Sequence, residues 1–278
     1  MSDHPFVTEE IRRRFWEDGA VLLSQVLEPT WMDLVELGIK RNLRNPGPYF
    51  QHHYEGTPRA FIDDYCNFFA IPEYRMLVRH SPIVDVVADV LGTADLWLFY
   101  DQIFVKDAPE SEPRRTPWHQ DTTYWVTGGR QLAGFWITLD DTPAEESLEF
   151  VRASHRGPTF AGTAFDYEDE TTPYQPGDVY PRLPDIEADR TAFDIFSFPV
   201  RRGDVVMFHP GMLHGGGSAT GAQPRRTLSL RFFGEDVVYE PRPRPAPAYP
   251  GISALLKPGD PLRGPWFPQV RPRPATEP

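Results

Sequence analysis

The chain has 278 residues, 40% of them hydrophobic and 13% aromatic, with a formal net charge of -12 and one cysteine, Cys66. That apolar content excludes global disorder, and the acidic balance gives no electrostatic drive toward nucleic acid or an anionic membrane. A lone thiol cannot form an internal disulfide and fits a reducing, cytoplasmic setting, so the expectation is a soluble, intracellular protein, with the oligomeric state open between monomer and homodimer.

Met1 to Glu10 lack a basic stretch leading into an apolar run, so no signal peptide is read there. No segment approaches the roughly 20 apolar residues of a membrane span. Residues 1–95 read as mainly helical support. Thr8 before Glu9 and Glu10 marks a helix start, and Gly19 its stop after Asp18. Ala20 to Leu27 reads as a strand. A second helix begins near Pro29 with Trp31, Leu34, Val35 and Ile39 on one face. Ser81-Pro82 opens a further helix that Gly92 closes.

From Leu96 the texture changes. Leu96–Lys106, Trp118–Trp125, Leu132–Asp140, Leu148–Val151, Asp204–His209 and Arg226–Phe233 are short runs rich in β-branched and aromatic residues, separated by turn formers. Such a series predicts a mainly β protein, a sandwich or barrel, of which the jelly roll is one closed form. The predicted organisation is one domain: the helical part, a core over 96–235, an acidic insertion at 157–198 containing Asp166, Glu168, Asp169 and Glu170, and a proline-rich tail at 240–278. A connection as long as the insertion is either a lid or a solvated loop. Tyr249, Leu255, Leu256, Trp266 and Phe267 predict that the tail packs on the body.

The chemistry concentrates in Trp118-His119-Gln120-Asp121. In an extended chain residues two apart share a face, so His119 and Asp121 present an imidazole and a carboxylate together. The run Asp204–Phe208 leads to His209 and His214, either of which can complete the set; the spacing to Arg225 and the glycines after it favour His214. Two histidines and one carboxylate leave positions open on a metal, the ligand set of non-haem iron(II) oxygenases. Arg225 heads the next strand, where a buried guanidinium needs an anion. Its planar fork suits the distal carboxylate of 2-oxoglutarate. If Arg225 points inward, so do Thr227, Ser229 and Arg231, and Arg231 then meets an acidic substrate or an internal carboxylate. Lys106 shares a face with Phe104, Gln102 and Tyr100 by the same alternation. Tyr124 and Trp125 follow the ligand run and can wall a pocket, as ordinary core aromatics also would. His155 reads as a hydrogen-bonding anchor. His52-His53 read as an exposed loop or a substrate entrance. No Gly-x-Ser-x-Gly elbow and no His-Glu-x-x-His helix is present.

These segments resemble the phytanoyl-CoA dioxygenase family of iron(II)/2-oxoglutarate oxygenases. The matching runs are Asp101–Lys106, Trp118–Asp121, Gly134–Leu139, Leu148–Val151 with Ser154-His155, Gly203–His209, and His214-Gly215-Gly216 through Pro224-Arg225-Arg226. The resemblance implies a double-stranded β-helix core and assigns His119, Asp121 and His214 to iron. It assigns Arg225 to 2-oxoglutarate, with Lys106 and Trp136 beside it. It implies oxygen as oxidant and hydroxylation of a small-molecule substrate; strand alternation and position after the ligand run, not the resemblance, make Gln102, Tyr124, Trp125 and Arg231 the candidates to meet that substrate. The carboxylate ligand leaves no position for halide and so favours hydroxylation over halogenation. Two departures stand out: Gly216 replaces a small hydroxyl residue, and Arg152-Ala153 replaces Pro-Gly. Two alternatives are a cupin-like isomerase or hydrolase that uses its metal without oxygen, and a non-catalytic binding module on the same fold.

Overall fold

The computed structural model describes residues 5–53, 61–106, 115–166, 168–175, 177, 179–217 and 225–273. Pro224 and the ends of the chain, residues 1–4 and 274–278, which the sequence expectations included, lie outside the described residues. In chain order the helices are α1 (Glu9–Asp18), α2 (Pro29–Arg44), α3 (Pro72–His80), α4 (Ile83–Leu91) and α5 (Ile252–Leu255). The strands are β1 (Ala20–Leu23), β2 (Gln51–His53), β3 (Phe61–Tyr65), β4 (Leu96–Lys106), β5 (Thr116–His119), β6 (Thr127–Gly128) and β7 (Leu132–Thr138). They continue as β8 (Leu148–Val151), β9 (Ile195–Ser197), β10 (Val205–Phe208), β11 (His214–Gly216), β12 (Arg225–Phe233), β13 (Val238–Tyr239) and β14 (Gln269–Arg271).

The large sheet runs β1-β10-β7-β12-β4-β3-β2, with β14 also on β4, and the small sheet runs β5-β11-β8-β9. All their pairings are antiparallel. The two sheets form the double-stranded β-helix. Alternation along β12 explains how they face each other. Leu228, Leu230 and Phe232 turn outward into a core with Phe15 of α1, Val35 and Ile39 of α2, Leu77 of α3 and Val87 of α4. Each such side chain contributes about 1.5–3 kcal/mol on burial. Thr227, Ser229 and Arg231 turn the other way. On that inner side Trp136, Val206 and Phe208 of the large sheet meet Phe150 of the small one. Helices on one face and a second sheet on the other leave a shielded space between the sheets for polar side chains.

Local signals fix the helix ends. Thr8 Oγ1 accepts from Ile11 N at 3.2 Å, and Gly19 ends α1 at φ 97°, where a side chain would also strike Met212. Three expectations change. The strand after α1 stops at Leu23, because Gln25 turns at φ 51° and its N–H donates to Asp204 Oδ1 at 2.9 Å. The run Trp118–Trp125 is not one strand: β5 ends at His119, and a 3₁₀ turn covers Asp121–Thr123. The first 95 residues are less uniformly helical than expected, since they also hold the β2–β3 hairpin.

The insertion packs along the small sheet. Leu183 and Ile186 cluster with Trp118 and Leu213, and β9 pairs with β8. Glu187 accepts from Trp118 Nε1 at 2.7 Å, and Arg190 pairs with Glu149 at 2.6 Å. In the proline-rich segment, Tyr249, Leu262 and Phe267 are buried against Trp97, Phe99 and Phe233, whereas Leu255 is exposed.

Candidate metal centre

His119 ends β5, and His214 opens β11 directly opposite it in the ladder. Gln120 keeps the chain extended (φ -119°, ψ 125°) before the 3₁₀ turn begins at Asp121. The face shared by residues two apart therefore survives the end of the strand. One potential ligand atom from each of His119, Asp121 and His214 lies within 4.8 Å of the others. Asp121 Oδ1 is 3.4 Å from His119 Nε2 and 3.9 Å from His214 Nε2. All three residues are buried.

The imidazoles are held alike. His119 Nδ1 lies 2.9 Å from the Pro117 carbonyl oxygen, and His214 Nδ1 lies 3.0 Å from that of Met212. A carbonyl only accepts, so each Nδ1 carries the proton and each Nε2 keeps a bare lone pair toward Asp121. Burial pushes the His214 pKa down to about 3, which keeps that ring neutral as a ligand must be. At Asp121 burial alone would raise the pKa. The Arg231 guanidinium is the main opposing influence, and the carboxyl is held below its usual range. Two neutral imidazoles and one carboxylate at this spacing are the donor set for a divalent ion of iron's kind. These residues form a two-histidine, one-carboxylate triad.

Around the triad, Phe165 meets the His119 ring edge-on at 4.9 Å, and Phe208 lies 4.9 Å from His214. Phe208 fits because Gly134 on β7 has no side chain: a Cβ there would come within 2.7 Å of its ring. Arg231 is the inward residue of β12 opposite Tyr100 and Gly134. Its Nε is 3.6 Å from Asp121 Oδ2, and its guanidinium lies 4.5 Å from the centre of the Tyr100 ring. The internal carboxylate near Arg231 is thus Asp121.

Arg225 and Lys106 are register partners on β12 and β4. Lys106 Nζ donates to Thr116 Oγ1 at 3.0 Å and to the Gly217 carbonyl at 3.1 Å. Arg225 donates to the carbonyls of Gly217 and Glu146. Two cations thus meet at one carbonyl oxygen, a cradle whose donors match a carboxylate. Burial pushes the Arg225 pKa down to about 10, so it remains charged near neutrality.

The other sequence-selected residues fall around this space. Trp136 and Ser229 are register partners, and Gln102 lies opposite Ser229 on β4. Tyr124 is buried, with its hydroxyl 2.9 Å from the Thr163 carbonyl and 2.7 Å from Thr163 N. Trp125 Nε1 donates to Tyr100 at 3.1 Å. His209 stands apart: its Nδ1 accepts from Gly211 N at 3.0 Å, Nε2 faces the Arg130 carbonyl at 3.2 Å, and its ring packs near Phe15 and Trp16. His155 anchors to the Trp16 carbonyl at 3.2 Å. His53 is on a strand rather than in a loop, 2.6 Å from Asp63. Sequence reasoning missed Asp63, although its run Phe61-Ile62-Asp63-Asp64-Tyr65 has strand character. It also missed Phe165, which lies in the insertion without a periodic signal.

A helix-backed double-stranded β-helix with a two-histidine, one-carboxylate triad between its sheets is a framework that non-haem iron(II) oxygenases use. The chain belongs to the phytanoyl-CoA dioxygenase (PhyH) family, whose profile matches residues 15–227. It is 29% identical over 185 residues to the ectoine dioxygenase of Nocardia farcinica, a match covering 63% of this chain and 61% of that one. Among solved structures it is similar to the non-haem α-ketoglutarate-dependent carbocyclase SnoK of nogalamycin biosynthesis, with a TM-score of 0.72, 25% identity, and coverage of 95% of this chain and 96% of SnoK. The epimerase SnoN shares the fold at a TM-score of 0.73 and 22% identity, with coverage of 95% and 98%. Among the described residues no helix is long and apolar enough to cross a membrane.

Proposed function

We propose that this protein is an iron(II)- and 2-oxoglutarate-dependent oxygenase that hydroxylates an aliphatic carbon of a small molecule. The overall balance joins substrate, 2-oxoglutarate and O2 to give hydroxylated product, succinate and CO2. The observation that carries this reading is the matched pair of imidazoles, both protons committed to backbone carbonyls and both Nε2 atoms turned toward one aspartate oxygen. Bound at His119, Asp121 and His214, iron(II) would supply redox chemistry that no side chain possesses.

The chain's own residues hold, orient and shield. Arg225 and Lys106 receive the distal carboxylate of 2-oxoglutarate in place of the Gly217 carbonyl they now share. Trp136 walls that position. Phe165, Phe208 and Tyr124 limit access of water to the triad. Gln102 Nε2 donates to Asp63 Oδ2 at 3.0 Å, and the carboxylate can only accept. The amide is thereby fixed, leaving its carbonyl oxygen as the group that accepts from a substrate hydroxyl or N–H.

The test is turnover with iron(II), ascorbate and 2-oxoglutarate under isotopically labelled oxygen, read by mass spectrometry. One labelled atom in succinate and one in a product from a compound pool is expected. Wild-type protein that consumes no 2-oxoglutarate with any pool defeats the proposal and leaves a metal-dependent isomerase or hydrolase, or a binding module. A second outcome, ring closure with loss of two hydrogens, is favoured by the likeness to the carbocyclase across nearly the whole of both chains. Labelled succinate beside an unlabelled product two mass units below its substrate identifies it.

A further inference from the structure

Asp121 has two oxygens in different surroundings. Oδ1 faces the two imidazoles at 3.4 and 3.9 Å, whereas Oδ2 faces Arg231 Nε at 3.6 Å. Oδ2 and the Arg231 atoms Nε and Nη1 are all buried and make no hydrogen bond among the described residues. Arg231 is 5% exposed. It is held from behind: its guanidinium lies over the Tyr100 ring, whose hydroxyl accepts from Trp125 Nε1. Opposite it on β7 stands Gly134, over which the Phe208 ring packs.

A carboxylate beside a metal can offer one oxygen or two. From this arrangement we infer that Arg231 is a positioning residue that reserves Asp121 Oδ2, so that Asp121 gives the metal Oδ1 alone. The inference rests on the triad's being a metal site, as proposed above, and adds to it a device for limiting the number of protein donors. A second aspartate oxygen would occupy a position that the two-oxygen chelation of 2-oxoglutarate or the binding of oxygen needs. Arginine suits the task because its fork stays charged and planar. The Tyr100 face supports it through a cation–π contact and makes no claim on its N–H groups.

Two effects of removing Arg231 oppose each other in metal affinity. Loss of an outer partner weakens binding, typically by about 10–100-fold, whereas loss of a nearby positive charge strengthens it. Ligand number is therefore the cleaner measure. The experiment titrates cobalt(II) alone, without oxygen, into metal-free full-length protein and records the ligand-field spectrum at saturation, with circular dichroism as a check of folding. Wild type and Arg231→Lys, which keeps a charged donor, are expected to share one spectrum. Arg231→Met is expected to show weaker, shifted bands from an additional oxygen donor.

A folded Arg231→Met protein with the wild-type spectrum overturns the inference, because a role in packing or net charge alone would change stability or affinity and leave the ligand field alone. If Arg231→Met does not fold, Tyr100→Leu, which removes the supporting ring, is expected to shift the bands the same way. Wild-type bands in that variant overturn the inference. Wild-type protein that binds no cobalt(II) removes the metal site itself, a failure distinguishable from the others.

Discussion

At the scale of single residues, the site divides labour between groups that can hold a metal and groups that keep those groups in one state. Asp121→Ala and His214→Ala are each expected to abolish stoichiometric iron(II) binding, measured by anaerobic titration, and turnover with it. Arg225→Ala is expected to leave metal binding intact. Losing one partner of a buried charge-assisted pair costs about 2 kcal/mol or more, so its apparent KM for 2-oxoglutarate should rise at least roughly 30-fold. An unchanged KM in that variant counts against the role given to Arg225. The convergence of His119, Asp121 and His214 was legible in the sequence because strand alternation and ligand chemistry constrain residue type and spacing together. The surroundings of Arg231 were only half legible. Alternation turned it inward, but its approach to Asp121 and its seat over the Tyr100 ring are set by other elements, which no spacing along the chain records.

Among the elements, the turn after β8 carries a strain that can be removed. Ala153 sits in the left-handed region at φ 58°, where L-residues other than asparagine and aspartate are unfavourable. Ala153→Gly is expected to stabilise the protein by about 0.5–1 kcal/mol, a rise of a few degrees in Tm by calorimetry. The sequence departed here from the Pro-Gly of the family it resembles, and the departure proves to lie where glycine is the natural occupant. Gly216 is the reverse case. It adopts φ 77°, and a Cβ there would come within 2.9 Å of Glu149 Cγ, so a hydroxyl residue does not fit this backbone. The long strands β4, β7 and β12 were readable from their β-branched and aromatic runs. The β2–β3 hairpin and α3 were not, since short elements carry few periods and draw their stability from neighbours. Likewise, β5 was read too long because the aromatic run Tyr124-Trp125 looks like strand while the backbone is already turning.

For the whole molecule, acid sensitivity follows from its buried titratable groups. Burial pushes both His209 and His214 down to about 3. Each takes up a proton on unfolding below its ordinary value of about 6.5, so each contribution is present above that value and lost as pH falls toward 3. Burial pushes Asp101 up to about 6 despite N–H donors from Asn67 and Phe68; its contribution has the opposite sign and fades as pH rises from about 4 to 6. Two imidazoles against one carboxyl leave a net loss on acidification. Metal-free protein is expected to lose stability between pH 6.5 and 4 at roughly 1.4 kcal/mol per unit, measured by denaturant midpoints, and His209→Gln to flatten that slope. Stability independent of pH across this range would contradict the burial assigned to these rings. The segment after Tyr239 has a different importance. Its strand β14 pairs with β4 at Trp97, Leu98 N donates to the Pro268 carbonyl at 3.0 Å, and Arg263 lies 3.4 Å from the Trp97 ring centre. A chain stopped at Pro241 would bare Trp97, Phe99 and Phe233 beside an uncapped stretch of backbone donors and acceptors, a template for self-association. Trimming this proline-rich stretch as though it were dispensable would therefore yield inclusion bodies in place of a smaller enzyme.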